Sequence, residues 1–192
     1  DTVDTQTFLR EITSLPEYKG QIVHIEPLLP RQPTYGTLEQ PLSDRLRNCL
    51  EKHHLFPLYT HQASAVNHLM KGKNVVISTS SASGKSLCYN VAVLQTMINA
   101  PMSRAIYLFP TKALAQDQLR ALKNTFCPDL LTTDDAATFD GDTPLRERSQ
   151  IKKRAKILLT NPDMLHTGIL PNHASWSRLL RNLRFVVIDE SH

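Results

Sequence analysis

A run of small residues ending in Gly-Lys-Ser is the stretch of this chain best suited to bind phosphate. It reads Thr79-Ser80-Ser81-Ala82-Ser83-Gly84-Lys85-Ser86 and lies between the apolar residues 75–77 and a helical pattern of Leu and Val. Small side chains let backbone N–H groups approach phosphate oxygens, and a helix N-terminus adds partial positive charge. We expect Lys85 to neutralise the β- and γ-phosphates and the Ser86 hydroxyl to help hold Mg²⁺. The run therefore predicts a nucleotide site, although Thr79 stands where the usual pattern has glycine.

Two adjacent carboxylates, Asp189 and Glu190, follow the last apolar run of the chain, residues 185–188. In nucleotide-binding proteins, a carboxylate at the tip of a buried strand beside a phosphate-binding loop is where Mg²⁺ is held. We expect Asp189 to take the metal, directly or through water, and Glu190 to orient and deprotonate the attacking water. His192 is a candidate for coupling the state of the nucleotide to a neighbouring domain.

The elements that must position these residues are predicted by short apolar runs. Four of them cover residues 75–77, 105–109, 157–159 and 185–188, and a weaker run covers 137–139. Each is continuous rather than alternating and is separated from the next by a helical pattern, as in a parallel sheet covered on both faces. The expected fold is a doubly wound, mostly parallel α/β sheet whose ligands lie at the carboxyl ends of the strands.

The first part of the chain has a different character. Residues 1–57 predict an amphipathic helix near Phe8, an edge strand at 21–25, a proline-rich stretch and a second helix near residues 42–50. We expect this part to be a lead-in that packs on a main domain formed by residues 58–192.

Polar side chains follow three of the predicted strands at their carboxyl ends. They are Pro110, Thr111 and Lys112; Gly141, Asp142 and Thr143; and Thr160, Asn161 and Pro162. Thr143-Pro144 and Asn161-Pro162 each have the pattern of an N-cap followed by proline at the first helical position. Three helix N-termini on one edge could grip successive phosphates of a nucleic acid without reading its bases. The alternative, that each cap is purely structural and that the basic run at 146–156 is a solvated helix face, stays open.

Gln62 opens another helical pattern upstream of the phosphate-binding run. Its side-chain amide could pair with both edges of an adenine, because it offers a donor and an acceptor together. The alternative is an exposed glutamine on a helix surface.

Composition limits the class of protein. With 192 residues, of which 41% are hydrophobic, the chain can bury one sizeable core. A net charge of +4 is compatible with a nucleic-acid partner but too small to argue for one alone. The three cysteines lack any CxxC pairing and predict neither a disulfide framework nor a zinc site. No window has the apolar length of a membrane span, so a cytoplasmic protein is expected. We also expect the sequence to be truncated at both ends.

Taken in order, these motifs resemble the first RecA-like domain of superfamily 2 DExD/H-box helicases. Gln62 matches the Q motif, residues 79–86 match motif I, and residues 110–112 match motif Ia. Residues 141–143 fall at motif Ib, residues 160–163 at the next DNA-contacting motif, and residues 189–192 are motif II in the variant DESH. The phrases SASGKSLCYN, LFPTKALAQDQL and FDGDTP look closest to the mitomycin-repair-factor A type of DNA helicases.

The resemblance implies a P-loop NTPase that uses ATP and Mg²⁺ to move along single-stranded DNA, with 3′-to-5′ polarity and a role in DNA repair. In this family a second RecA-like domain with arginine fingers follows motif II, so we expect the chain to be half a motor. Two alternatives stay open: an RNA helicase of the same superfamily, and a catalytically silent nucleic-acid-binding domain. Intact Lys85, Ser86, Asp189 and Glu190 argue against the silent domain.

Overall fold

In a computed structural model of the chain, the residues described are 4–26, 32–79 and 84–190, and they fall into two compact units. The first unit, Asp1–Pro33, contains helix α1, Thr5–Thr13. The predicted edge strand at 21–25 is wrong: these residues form no regular element, and Val23 is 92% exposed. Residues 34–57, which the sequence assigned to the lead-in, group with the second unit. The packing of a lead-in on a main domain stays a prediction.

The second unit, Thr34–His192, carries the remaining helices and strands of the described chain. Its helices are α2 (Asp44–Lys52), α3 (Thr60–Met70), α4 (Lys85–Asn99), α5 (Lys112–Phe126), α6 (Leu145–Arg154), α7 (Pro162–Met164) and α8 (Ser177–Arg181). A π-helical turn, Leu165–Ile169, and a 3₁₀ turn, His173–Trp176, lie between α7 and α8. The strands are β1 (Arg104–Leu108), β2 (Ala136–Thr138), β3 (Ile157–Thr160) and β4 (Leu183–Ile188).

The four strands form one sheet in the order β2-β3-β1-β4, and every neighbouring pair is parallel. Tyr107 of β1 is level with Leu159 of β3 and with Val187 of β4, and Thr138 of β2 is level with Leu159. Because the strands are parallel, their carboxyl ends meet at one edge of the sheet. The prediction of a parallel sheet from continuous apolar runs is confirmed, and the weak run at 137–139 does form a strand.

Alternate side chains of the strands enter two separate cores, because successive residues of a strand point to opposite faces. Ala105, Tyr107 and Leu159 belong to the core under α2, α3, α4 and α5. Ile106 and Leu158 belong to the core on the other face, together with residues of α6, of the turns after α7 and of α8. Helices therefore cover both faces of the sheet, as the continuous hydrophobicity of β1 and β3 predicted.

The run at 75–77 is the one predicted main strand that the structure contradicts. Residues 73–79 form no regular element, and Val76 is 96% exposed. Strand β4 was expected to be buried on both faces, but its residues Val186 and Ile188 are 54% and 63% exposed. Within residues 4–26, 32–79 and 84–190, β4 pairs with β1 alone. A three-residue apolar run carries little information about pairing, because strand formation depends on a neighbour that supplies hydrogen bonds.

Candidate nucleotide site and nucleic-acid edge

Helix α4 begins where the phosphate-binding run ends. Its N-cap, Gly84, has a φ of +74°, a left-handed conformation that glycine adopts without strain. A Cβ at Gly84 would lie 2.6 Å from Nε2 of Gln62, so a side chain at this position would displace the Gln62 amide. The Lys85 ammonium donates to the backbone carbonyl of Thr79, 3.2 Å away, and thus reaches back across the run. The predicted residues 80–83 lie outside the described part of the chain.

The predicted metal carboxylate is held against α4 by a residue that sequence reasoning missed. The Tyr89 hydroxyl donates to Oδ2 of Asp189 at 2.9 Å, across 100 positions of sequence. Burial and the neighbouring carboxylate raise the pKa of Tyr89 far above its usual value, so the hydroxyl remains a protonated donor. Helical spacing offered a signal, because Tyr89 lies four residues after Lys85 and so shares its face of α4. The start of α4 and the end of β4 therefore meet in one site.

Glu190 follows the metal carboxylate at the surface of this site. Its side chain is exposed, and its backbone, with a φ of +54°, donates from N–H to Oδ1 of Asp189 at 3.0 Å. The Asp189 N–H donates to the carbonyl of Leu108, also at 3.0 Å, which extends the pairing of β4 with β1 by one residue. The role of Glu190 as a base stays a prediction, and His192 lies outside the described residues.

Gln62 is buried, with 3% of its surface exposed, and both ends of its amide bind protein groups. Its Oε1 accepts from the backbone N–H of Tyr59 at 2.9 Å, and its Nε2 donates to the carbonyl of Gly84 at 3.2 Å. The side chain thus connects the start of α3 to the start of α4. The alternative of an exposed glutamine is wrong, whereas adenine recognition stays a prediction.

The predicted nucleic-acid edge lies at the carboxyl ends of β1, β2 and β3. Thr111, which follows Pro110, caps α5 by accepting from the N–H of Leu114 at 3.2 Å. Lys112 forms an ion pair of 2.6 Å with Asp142, which joins the start of α5 to the loop after β2. This hydrogen bond and the charge of Asp142 raise the pKa of Lys112. The structure therefore brings the first two predicted groups together, with Gly141 near the Lys112 ammonium.

The third group and Thr143 differ in detail from expectation. Helix α6 has Pro144 as its N-cap, not Thr143, because the Thr143 hydroxyl instead accepts from the N–H of Asp140 at 2.9 Å. Asn161 caps α7 as predicted, accepting from the N–H of Met164 at 2.7 Å with Pro162 at the first helical position. Thr160 is 2% exposed and donates to the carbonyl of Phe139 at 2.6 Å. Its hydroxyl holds the end of β2 in place.

Oxygen ligands suited to Mg²⁺ are present at the nucleotide site. Asp189 is half-buried, and each of its two carboxylate oxygens accepts one hydrogen bond from the protein, which leaves lone pairs for a cation. Ser86 adds a hydroxyl in the first turn of α4. Carboxylate and hydroxyl oxygens are hard donors of the kind that Mg²⁺ prefers, so these residues fit the ion.

A second group of ligand-type side chains is explained without an ion. Ligand atoms of Cys49, His53 and Asp129 lie within 4.8 Å of one another. Asp129 is already paired with Lys52 at 2.8 Å, and the Cys49 thiol donates to the carbonyl of Thr125. Burial also raises the pKa of Cys49, which disfavours the thiolate that a metal requires.

None of the helices in the described part of the chain has the length and apolar character needed to cross a membrane.

Comparison with known proteins adds to this geometry. The model of the family described as "DEAD/DEAH box helicase" matches residues 59–192. ATP-dependent helicase hrq1 of Schizosaccharomyces pombe is 44% identical over 194 residues, which cover 97% of this chain and 18% of that protein. The uncharacterized ATP-dependent helicase YprA of Bacillus subtilis is 41% identical over 184 residues, covering 96% of this chain and 24% of that protein. The chain thus spans a quarter or less of the length of these relatives.

Solved structures agree with the sequence relatives. A crystal structure of the DUF1998 helicase MrfA bound to DNA and AMPPNP matches with a TM-score of 0.78 at 42% identity, covering 84% of this chain and 22% of that one. A DEAD box protein from Methanococcus jannaschii matches with a TM-score of 0.59 at 16% identity, covering 80% of this chain and 49% of that one. The second match bears on the fold alone.

Proposed function

The chain belongs to the DEAD/DEAH box helicase family, and from that membership we propose that it is the ATP-binding half of an ATP-driven DNA helicase or translocase. The observation that carries the proposal is the hydrogen bond between Tyr89 and Asp189. It holds a carboxylate at the end of β4 beside the N-terminus of α4, where the phosphate-binding run ends. A nucleotide site needs this meeting of anion-binding helix and metal-binding carboxylate.

Within this proposal the residues of the site have separate tasks. The Lys85 charge offsets the charge of the β- and γ-phosphates, and backbone N–H groups at the start of α4 add to it. Gln62 recognises adenine. Its hydrogen bonds to Tyr59 and Gly84 tie its position to the end of the phosphate-binding run. Glu190, exposed beside Asp189, takes a proton from the water that attacks the γ-phosphate.

Ser86 and Asp189 are the residues that would hold Mg²⁺. Once bound, the ion would supply positive charge to neutralise the phosphate oxygens. The Tyr89 hydroxyl fixes the Asp189 carboxylate by occupying one side of Oδ2. Asp189 is therefore oriented by the protein before the ion or the nucleotide arrives.

The partner that we propose is single-stranded DNA, bound through its phosphates by the edge formed by residues 110–112, 141–143 and 160–162. Helix N-termini and Lys112 on one edge are suited to backbone contacts, which carry no base sequence. The similarity to MrfA, a helicase solved bound to DNA, favours DNA over RNA. The proposal includes 3′-to-5′ polarity and a role in DNA repair, because the sequence resembles the mitomycin-repair-factor A type of DNA helicases.

The proposal also places this chain in a longer motor. The curated relatives extend well beyond the matched part, which is 18% and 24% of their lengths. Phosphoryl transfer in such motors uses an arginine finger worth about 10³–10⁵ in rate, and we assign no arginine of residues 1–192 to that role. A second RecA-like domain would supply it. A cytoplasmic location is part of the proposal, supported by three cysteines without disulfide bonds.

Phosphate release in matched assays tests the proposal. We expect a longer protein containing both RecA-like domains to hydrolyse ATP faster when single-stranded DNA is added. We expect residues 1–192 alone to hydrolyse ATP negligibly with or without DNA. RNA of the same sequence serves as the comparison nucleic acid.

Two results would contradict the proposal. DNA-stimulated hydrolysis by residues 1–192 alone would show that the half-motor assignment is wrong. Stimulation of the longer protein by RNA and not by DNA would replace the DNA helicase by an RNA helicase.

A further inference from the structure

A basic groove lies on the face of the sheet that is covered by α6 and α8. Its volume is about 530 Å³, and its lining includes Arg148, Lys152, Lys153 and Arg178, together with three serines. No carboxylate is among the lining residues. We call this feature, with these four cations, the basic groove.

Some cations of α6 and its surroundings form ion pairs with carboxylates, and others do not. Arg154 and Lys156 are paired with Asp134 and Asp135, at 2.5 and 3.1 Å. The four cations of the basic groove form no ion pair with any carboxylate that the structure describes. Uncompensated positive charge is thus concentrated in one concave surface. A cleft lined by charges of one sign focuses its electric field and raises the local concentration of anions.

Arg148 connects the basic groove to the proposed DNA-binding edge. Its guanidinium donates to the carbonyls of Thr143 at 2.9 Å and Gly141 at 3.1 Å, and it lies over the ring of Phe139 at 5.3 Å. It therefore fixes the loop after β2, which forms part of that edge. Because Arg148 both lines the groove and contacts this loop, the two surfaces adjoin at Arg148, and one polymer could follow both.

Lys152, which lines the groove, is held by two contacts. Its ammonium donates to the Ser175 hydroxyl at 3.1 Å and lies 5.3 Å from the centre of the buried Trp176 ring. Both partners are neutral, so the lysine keeps its full charge available to an anion. The side chain is positioned in advance of binding, which lowers the entropy cost of a phosphate contact.

We propose that the basic groove binds the sugar–phosphate backbone of the DNA strand after it leaves the edge of the sheet. The inference rests on the proposed function and extends it with a second stretch of DNA contact. Helix α6 has 10 residues, a length of about 15 Å at 1.5 Å per residue. That length spans about four phosphates of a strand whose bases stay stacked with the 3.4 Å rise of B-DNA, and fewer of an extended strand. A polymer of regularly spaced charges fits an open groove of this length better than a single small anion does.

The experiment compares DNA binding by the longer protein with and without the groove charges. The variant carries Lys152→Gln, Lys153→Gln and Arg178→Gln; Arg148 is left intact because it holds the loop after β2. Fluorescence anisotropy measures the affinity for labelled single strands of 6 and 20 nucleotides at two salt concentrations. We expect the variant to bind the long strand at least tenfold more weakly, with the slope of log affinity against log salt reduced by about 2. The short strand, which the edge accommodates, should bind as before.

The matched control neutralises three cations on the opposite face of the sheet. Arg47→Gln, Lys52→Gln and Arg120→Gln change the net charge equally, on helices α2 and α5. We expect this variant to keep its affinity and salt slope for both strands. Lys153→Gln alone, at an exposed position, provides a second test in which folding is not at risk, with an expected slope change of about 0.7.

Any one of three results with DNA would overturn the inference. They are unchanged long-strand binding in the groove variants, an equal loss in the control variant, and an equal loss for the short strand. Loss of polyglutamate binding with DNA binding intact would also overturn it, in favour of an acidic protein partner. Failure of the proposed function would be distinguishable, because the wild-type longer protein would then bind neither strand.

Discussion

At the scale of single residues, one tyrosine hydroxyl joins α4 to the end of β4 in the candidate nucleotide site. Tyr89 is neutral, buried and hydrogen-bonded to the carboxylate that we assign to Mg²⁺. A hydrogen bond to a charged group is worth about 1.5–3 kcal/mol. Its loss should alter how Asp189 is held more than it alters the fold, because water can reach this half-buried carboxylate.

We expect Tyr89→Phe in the longer protein to raise the Mg²⁺ concentration needed for half-maximal ATP hydrolysis by about tenfold, because the carboxylate loses its fixed orientation. Titration of the hydrolysis rate with MgCl₂ at saturating ATP measures it. Tyr107→Phe is the matched control, since it removes another buried hydroxyl, bonded to Asn90 at 2.9 Å. If both variants shifted the Mg²⁺ requirement equally, Tyr89 would not be a positioning residue.

Glu190→Gln should leave ATP binding intact while lowering turnover of the longer protein by at least a hundredfold. The reason is that glutamine keeps the shape of the side chain but cannot take a proton from water. Single-turnover hydrolysis and equilibrium ATP binding, measured on one preparation, separate the two effects. Normal turnover in this variant would remove Glu190 from the role of base.

At the scale of elements, the parallel sheet brings distant loops to one edge. Strands β1 and β3 are buried on both faces, so their side chains belong to two cores that are separated by one layer of backbone. The loops that follow them carry Thr111 and Asn161 at the starts of helices. The loops at this edge are therefore positioned correctly only when the central strands β1 and β3 are folded.

Leu158→Ala should lower the free energy of unfolding by about 2–5 kcal/mol, because Leu158 is fully buried between β2 and β1 and its removal leaves a cavity. Urea unfolding of residues 1–192 measures the change. Leu145→Ala, at a position that is 84% exposed, is the control and should change stability by less than about 0.5 kcal/mol. A cost below 1 kcal/mol for Leu158→Ala would contradict the two-core description.

Strands that the sheet buries were predictable from the sequence, because burial on both faces leaves a continuous apolar run. The run at 75–77 shows the limit of this argument, since an apolar run does not say which neighbour will pair with it. The sequence chemistry selected Lys85 and Asp189 as site residues, and the structure places them at the start of α4 and the end of β4, while their roles stay predictions. The Tyr89 contact and the bonds of Gln62 were not predictable, because they depend on tertiary packing between α3, α4 and β4.

At the scale of the whole molecule, the candidate nucleotide site and the proposed nucleic-acid edge both lie along the carboxyl ends of one sheet. We assign Lys85 and Asp189 to the candidate nucleotide site, whereas Lys112 and Asp142 join the start of α5 to the loop after β2 at the proposed edge. A motor needs the occupancy of one site to influence the other. We propose the sheet, which both candidate sites share, as the element that transmits that influence.

The central claim is that residues 1–192 contain a working nucleotide site, and equilibrium binding of Mg-ATP by calorimetry tests it most directly. We expect the wild-type chain to bind weakly and Lys85→Ala to bind at least tenfold more weakly still, because the phosphates lose a charge-assisted hydrogen bond worth about 1.5–3 kcal/mol. Lys112→Ala, which removes a lysine from the proposed DNA-binding edge instead, should bind ATP as the wild type does. Equal affinity in the Lys85→Ala and wild-type chains would contradict the account.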